Sequence, residues 1–442
     1  MSSPSPALAS FKAAADQLAI NDAAPDWLNA TRVNGWQRFA EMGVPGVRDE
    51  RWKYTRLAAL ERQSFVLPNH GGALSKAVHA EEFSALPGLR MVFVDGCLDE
   101  RSSRLAGKAG LRVRSLDNAI ADNDAVVSEL LGKIAQGPLH PFAALNTALL
   151  ANGAVIDVEP HATIEEPVYL LFISSCAQVS LISNPRILLN IGANASVTVV
   201  EHHLAHDGAK NFVNVTTEGR IGEGARLEYC SVLDGVALDS HINGLHLEQA
   251  GDSHVIHNSV TLGGRMIRND LHCRLLGPGS HIDMRGLYLA GDRQHVDNHT
   301  LVEHCAPHTS SAQDYKGVLH GRGRAVFNGK VLIHSGANGS EAHQSNGNLL
   351  LSEKAEIDTK PELEIYNDDV KCSHGATVGQ LDKEALFYLR SRGIGEATAR
   401  SMLTFAFAEA LVQRIGLSDV RNRIEQRVIE LLPESERIRS FV

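Results

Sequence analysis

Missing from this chain is any apolar run approaching the roughly 20 residues that a membrane-spanning helix needs. The opening MSSPSPALASFKAAADQL also lacks the charged start and greasy core of a secretory signal, so a cytosolic location is the expectation. Phosphate fingerprints are missing too. There is no G-x-x-x-x-G-K-[ST], Asn328-Gly329-Lys330-Val331 lacks the hydroxyl that would hold magnesium, and no G-x-G-x-x-G opens a helix. Any nucleotide chemistry is therefore expected of a partner. Absence of a G-x-S-x-G elbow removes the α/β-hydrolase arrangement of a nucleophilic serine. Basic residues are outnumbered, 42 Lys and Arg against 52 Asp and Glu, for a net charge of -10. A broad nucleic-acid footprint wants the opposite sign. The six cysteines (Cys97, Cys176, Cys230, Cys273, Cys305, Cys372) never fall in C-x-x-C spacing. In a cytosolic chain they read as reduced thiols, most of them buried and inert.

What is present is ordinary globular composition, 43% hydrophobic and 21% charged, in 442 residues. That is too long for one small core, and two or three structural units are expected. Up to about Pro68 the pattern is helical: Pro6 to Ile20 is Ala-rich, and Asp26 to Met42 sets Trp27, Leu28, Val33, Trp36 and Phe39 on one face. The block DERWKYTRLAAL (49 to 60) reads as an amphipathic helix anchored by Trp52. Pro68-Asn69-His70-Gly71-Gly72 breaks the chain. MVFVDG (91 to 96) follows as a strand with a turn, then Asp117 to Ile134 and Phe142 to Leu150 as helices. Residues 1 to about 150 form the expected first domain, mainly helical.

From Ala154 the texture changes. Small-residue corners recur at Gly192-Ala193-Asn194-Ala195, Gly222-Glu223-Gly224-Ala225, Gly251-Asp252-Ser253 and Gly277-Pro278-Gly279-Ser280, each followed by a β-rich run such as SVTVV (196 to 200). Corners about 26 to 30 residues apart suit one coil of a β-solenoid per repeat. A β-helix of roughly seven or eight coils over 151 to 380 is the direct reading. Its end coils keep unpaired backbone edges, which must be capped or shared. After Gly379 helical spacing returns at Asp382 to Arg390, Glu396 to Ile415 and Ser418 to Leu432, with Asp382 as an N-cap and Gly393 as a stop. These three amphipathic helices, 381 to 442, are expected beside the last coil.

The stretch Tyr315 to Leu381 carries the chemistry. Its β-rich runs (Ala325 to Phe327, Lys330 to Ile333, Asn348 to Leu351, Glu362 to Tyr366, Val370 to Cys372) are separated by Gly, Asn, Ser and Asp. In a strand of period two, Val370, Cys372 and His374 share a side, which sets a thiol next to an imidazole. Both are soft or borderline metal ligands. A Cys-x-His pair supplies only two ligands, however, where an iron-sulfur cluster takes about four. Of 21 histidines, 17 fall between His202 and His374. Most suit half-buried structural positions in turn-rich sheet. Cys305, in Glu303-His304-Cys305, ranks below Cys372 as a thiol beside an imidazole. Two rival readings stay open: a polysaccharide-active β-helix enzyme using acids such as Asp368 and Asp369, and a zinc or iron protein in its own right. Asp368 and Asp369 sit at a turn, where Asp serves the backbone.

The blocks YKGVL (315 to 319), AVFNGKVLI (325 to 333), QSNGNLLLS (344 to 352), PELEIYNDDVKCSHGATVGQLD (361 to 382) and ALFYLRSRGI (385 to 394) occur in an order that resembles the SufB/SufD family of the SUF iron-sulfur cluster assembly machinery. SufB-like chains carry an acidic EHEAT-type segment where this one has Cys372-Ser373-His374-Gly375-Ala376-Thr377, so the resemblance is to the SufD branch. It implies a right-handed parallel β-helix between helical ends. It also implies a non-enzymatic scaffold that pairs with SufB, with helical tails docking the ATPase SufC. A transient iron-sulfur cluster would form at the SufB junction, with His374 and, less centrally, Cys372 contributing. ATP-driven closure of a SufC pair would open that junction. Without SufB the same edge predicts a homodimer. The residues do not specify a flavin.

Overall fold

From Arg186 on, successive strands of this chain go to opposite sheets, and each pairs in parallel with the strand two places on. The computed structural model describes residues 4–19, 24–68, 86–105, 107–135, 140–174, 179–206, 208–234, 239–433 and 435–439. Cys176 and part of the break at Pro68-Gly72 lie outside the described residues. One sheet runs from Cys97–Leu98 through Leu89–Val94, Val168–Ser174, Ser196–Ala205, Arg226–Asp234, His254–Leu262, His281–Ala290, Ser310–Leu319 and Ser340–Leu350 to Val370–Gly379. The other runs from Leu111–Ser115 through Gly153–Val158, Arg186–Ile191, Phe212–Ile221, Ser240–Gln249, Met266–Leu275, His295–His304 and Arg324–Ile333 to Glu356–Ile365. The result is a parallel β-helix of about eight turns. Register partners such as Ser240↔Met266 and Ser196↔Arg226 lie 26 and 30 residues apart.

The corners work as their composition predicts. Asn194, Gly224, Asp252 and Gly279 all have positive φ (55°, 66°, 54° and 74°), the left-handed bend that Gly, Asn and Asp tolerate best. Between corners, alternation sends Val197, Val199, Leu227, Val255, Ile187, Leu189, Val213 and Val215 inward to one continuous apolar core. An asparagine ladder runs through it, with Nδ2 of Asn243 donating to Asn269 and Nδ2 of Asn269 to Asn298, each at 2.9 Å.

Several sequence expectations are corrected by longer or broken elements. Ala325 to Phe327 and Lys330 to Ile333 are one strand, because Asn328-Gly329 is not a turn. A Cβ at Gly329 would sit 2.8 Å from the Phe327 ring, so glycine there serves packing. Asp117 to Ile134 holds two short helices, Leu116–Ala121 and Ala125–Leu130, divided by Asn123 at φ 53° and by Asp124, whose side chain accepts from Val126 N. Residues 49 to 60 form a 3₁₀ turn, Glu50–Trp52, and a short helix, Ala58–Glu61. Trp52 is still the anchor, its ring 5.3 Å from Phe142 and under the Arg268 guanidinium at 3.9 Å.

The N-terminal residues give helices and also strands. Leu89–Val94 pairs in parallel with Val168–Ser174, and Leu111–Ser115 pairs antiparallel with Gly153–Val158. Helices Pro6–Ala19, Asp26–Met42 and Pro141–Ala148 lay Phe11, Phe39 and Phe142 on Phe212, Ile242 and Met266 of the second sheet's outer face.

At the other end, helices Glu396–Val412 and Ser418–Leu431 are not beside the last coil. They run back along the outer face of the first sheet, where Phe405, Leu411, Val420, Ile424 and Val428 cover Tyr169, Leu171, Val200, Val232, Val260 and Leu287. Arg427 to Asp234 (2.8 Å) and Arg414 to Asp314 (2.8 Å) fasten them. Only Lys383–Ser391 stays at the last coil, capped by Asp382, whose side chain accepts from Glu384 N, and it buries nothing. No described helix is long and apolar enough to cross a membrane.

Candidate functional site at the open end of the solenoid

Val370–Gly379 and Glu356–Ile365 are the terminal strands of the two sheets, so each has one backbone edge with no strand beyond it. The first pairs on its inner side with Ser340–Leu350, in the register Ala342↔Cys372, Gln344↔His374, Asn346↔Ala376 and Asn348↔Val378. Ala342, Gln344, Asn346 and Asn348 face the interior and are 0, 5, 2 and 4% exposed. One rung later the equivalent row is uncovered: His374, Ala376 and Val378 are exposed, and Cys372 is half-buried. The same alternation that seals an inner rung leaves the final rung open.

Cys372 packs with Val370 and Leu363 against Val331, Ile333 and Ala342, and partial burial pushes its thiol above the ordinary range. It is a protected thiol at the rim. His374 stands two residues further along the same face, over Gln344. The amide nitrogen and oxygen of Gln344 are both buried with no hydrogen-bond partner. An unpaired buried amide costs roughly 1–3 kcal/mol. Nothing in the sequence marks Gln344, since its significance comes from the register with His374. On the outward side of the same strand, Ser373 Oγ lies 2.8 Å from His343 Nδ1 and Lys371 pairs with Glu341 at 2.7 Å. Ile365, Tyr366, Val378, Phe387 and Tyr388 surround this end as exposed apolar groups, Phe387 at 72% and Tyr366 at 64%.

Other sequence candidates separate from this site. Cys305 does not meet His304, which turns inward and bonds Thr309 and Ser311 through its two ring nitrogens. It clusters instead with Glu303 and His334. Asp368 and Asp369 form the turn before the last strand, where Asp369 N donates to Asn367 Oδ1 and Gly339 N to the Asp369 carbonyl. Their role there is backbone geometry.

A family model described as SUF system FeS cluster assembly, SufBD core domain, matches residues 172–407, and a SufBD protein N-terminal region model matches 8–170. The chain belongs to the SufBD family. It is 30% identical over 403 residues to the iron-sulfur cluster assembly protein SufD of Escherichia coli, covering 91% of this chain and 92% of that one. It is 31% identical over 402 residues to a SufBD family iron-sulfur cluster assembly protein of Synechocystis, covering 88% of each. A SufD of Bacillus subtilis is 26% identical over 288 residues, 64% of this chain and 65% of that one. This SufBD chain is thus an iron-sulfur cluster assembly protein. The core match takes in both terminal strands and the helix Lys383–Ser391, and ends within Glu396–Val412.

Most of the histidine excess in this SufBD core is structural. His241, His257 and His304 are buried, and burial holds His257 and His304 down at about 4. Glu201, His203 and Tyr229 form an interior network, with His203 Nε2 2.6 Å from Glu201 Oε1 and the Tyr229 hydroxyl on Glu201 Oε2. Spacing in the sequence does not reveal that network, because its members come from two different coils.

Proposed function

We propose that this chain is the SufD-like, non-enzymatic half of a cluster-building scaffold whose open rung pairs with the corresponding end of SufB. The carrying observation is the contrast between rungs. Gln344, Asn346 and Asn348 are sealed, while His374, Ala376 and Val378, one register step on, are open and bounded by unpaired strand edges. Edge-to-edge addition supplies main-chain hydrogen bonds for both partners and buries the exposed apolar rim. Iron and sulfide are the cargo. His374 offers an imidazole and Cys372 a thiol, two of the roughly four ligands a cluster takes, and SufB supplies the others.

Cys372 enters as a reserve ligand. Its raised pKa keeps it protonated, and hence a poor metal ligand, until iron or a partner cation lowers it. SufC docks on the C-terminal helices. The helix Lys383–Ser391 follows the last strand after three residues, so movement of that helix reaches the open rung directly. The remaining helices are fixed to the solenoid wall and act as its stationary support. The complex works in the cytosol, and the isolated chain closes its rung on a second copy.

His374→Ala tests this reading. In the reconstituted complex, partner binding and circular dichroism are expected to stay unchanged while iron-sulfur absorbance fails to develop. Normal cluster loading by the variant would remove His374 from the site.

A further inference from the structure

Away from the open end, three imidazoles converge where the N-terminal helical layer meets the second sheet. One ring nitrogen from each of His140, His246 and His272 lies within 4.8 Å of the other two. His140 precedes helix Pro141–Ala148, while His246 and His272 are register partners on adjacent strands, outward-facing beneath it. We propose that these three histidines form a binding site for a first-row divalent metal ion of the zinc class, pinning the helical layer to the solenoid.

Three observations carry the site. First, His140 Nε2 and His246 Nδ1 are fully buried with no hydrogen-bond partner, so two lone-pair or N–H positions point into the interface unused. Buried polar atoms are rarely left so. Secondly, His272 Nε2 is 2.6 Å from Glu303 Oε1, and the other Glu303 oxygen is 2.8 Å from His334 Nε2. A carboxylate that accepts from Nε2 fixes the His272 tautomer and leaves Nδ1 as its lone pair, the arrangement by which carboxylates orient metal-binding histidines. Thirdly, a small void of about 20 Å³ lies against two of the three rings, lined by His140, His246, Asp270 and Trp52 but not by His272. That is room for one ion or one water.

Charge and access agree with this assignment. Four guanidiniums, Arg51, Arg186, Arg268 and Arg274, stand against five carboxylates, Glu218, Glu248, Asp270, Asp297 and Glu303, so the surroundings carry no excess positive charge against an added cation. Burial lowers the pKa of both His140 and His246, to about 3 for His140, so both rings are neutral and ready to ligate at physiological pH. Entry runs from the surface, where the His334 side chain is 42% exposed and Glu303 16%. A tetrahedral ion with bonds of ~2.0–2.1 Å sets its nitrogens ~3.3 Å apart, so the rings must close by about 1.5 Å.

The alternative is a metal-free stack of rings, for His140 and His246 already pack edge to face with centroids 4.5 Å apart. Titration of EDTA-stripped protein with Co²⁺, followed by visible ligand-field absorption, decides between them. One Co²⁺ per chain is expected, displaced by Zn²⁺, with Zn²⁺ also raising the thermal midpoint. His246→Ala and, as an independent variant that spares the sheet, His140→Gln should each abolish the absorption. Glu303→Gln should weaken binding about 10–100-fold. The Cys372→Ala, His374→Ala double variant should bind Co²⁺ as the parent does, which separates this site from the cluster site. Absence of tight Co²⁺ uptake by the parent, or uptake untouched by His140→Gln, would overturn the proposal.

Discussion

Replacing Glu218 by Gln should loosen the N-terminal layer from the solenoid without touching the open end. Glu218 and Arg186 are completely buried, and Arg186 Nη1 donates to Glu218 Oε1 at 2.8 Å. The same carboxylate accepts from the backbone N–H of Gly132 (2.8 Å), Ile134 (2.8 Å) and Ala135 (2.9 Å), so one side chain fastens a turn of the N-terminal layer to the sheet wall. A glutamine keeps the shape but offers a single acceptor oxygen. Its amide N–H₂ then faces backbone donors, and the Arg186 charge is left uncompensated in a site that burial already makes costly for it. Breaking one side of a buried ion pair costs about 3–5 kcal/mol. Urea unfolding followed by tryptophan fluorescence is a suitable assay, because all three tryptophans (Trp27, Trp36, Trp52) lie in the N-terminal layer. The unfolding free energy read from the fluorescence transition should fall by that amount. The double variant Arg186→Met, Glu218→Gln, which removes both charges and keeps one acceptor oxygen for the backbone donors, should recover part of the loss. A single variant within about 1 kcal/mol of the parent, on the same scale, would refute this account of how the layers are joined.

Acid should weaken the fold before most carboxylates titrate. His257 and His304 are held at about 4 by burial, below the usual 6.5, so between those values the unfolded chain binds more protons and stability falls as pH drops from 6.5 toward 4. Each ring contributes on the order of 3 kcal/mol by the low end of that window, and His257→Gln should flatten the pH profile of the urea midpoint. At the surface, Phe387→Asp removes the most exposed apolar side chain of the helix that follows the last strand and should weaken SufC binding at least tenfold in a pull-down or calorimetric titration. Unchanged SufC affinity would move the docking surface elsewhere on the C-terminal helices.

The β-helix was legible because its corners repeat. Gly, Asn and Asp at positive φ recur once per coil, and Asn194, Gly224, Asp252 and Gly279 occupy such bends in the structure. Inside the coils the same residue types mislead. Gly329 and Gly347 read as turns, yet each lies mid-strand, where a Cβ would meet the Phe327 ring at Gly329 and come within 3.6 Å of the Phe407 ring at Gly347. Helix spacing in the tail fixed which residues are apolar, but not their target. The helices bury Tyr169 and Val200, more than two hundred residues upstream in the chain, and no local pattern encodes so distant a surface. The pair Cys372 and His374 was visible from period-two spacing, whereas Gln344 beneath His374 and the imidazoles of His140, His246 and His272 meet only through register and layer packing. Non-local contacts of this kind leave no periodic trace.

Mass in solution tests the open rung most directly. Ala376 and Val378 lie on its uncovered row, so lysines there leave the monomer's core intact but place two charges where pairing would bury them. By light scattering the parent chain should weigh twice its 47.8 kDa, and the Ala376→Lys, Val378→Lys variant should weigh 47.8 kDa and fail to capture SufB. A parent that is strictly monomeric, with SufB capture indifferent to the two lysines, would contradict the claim.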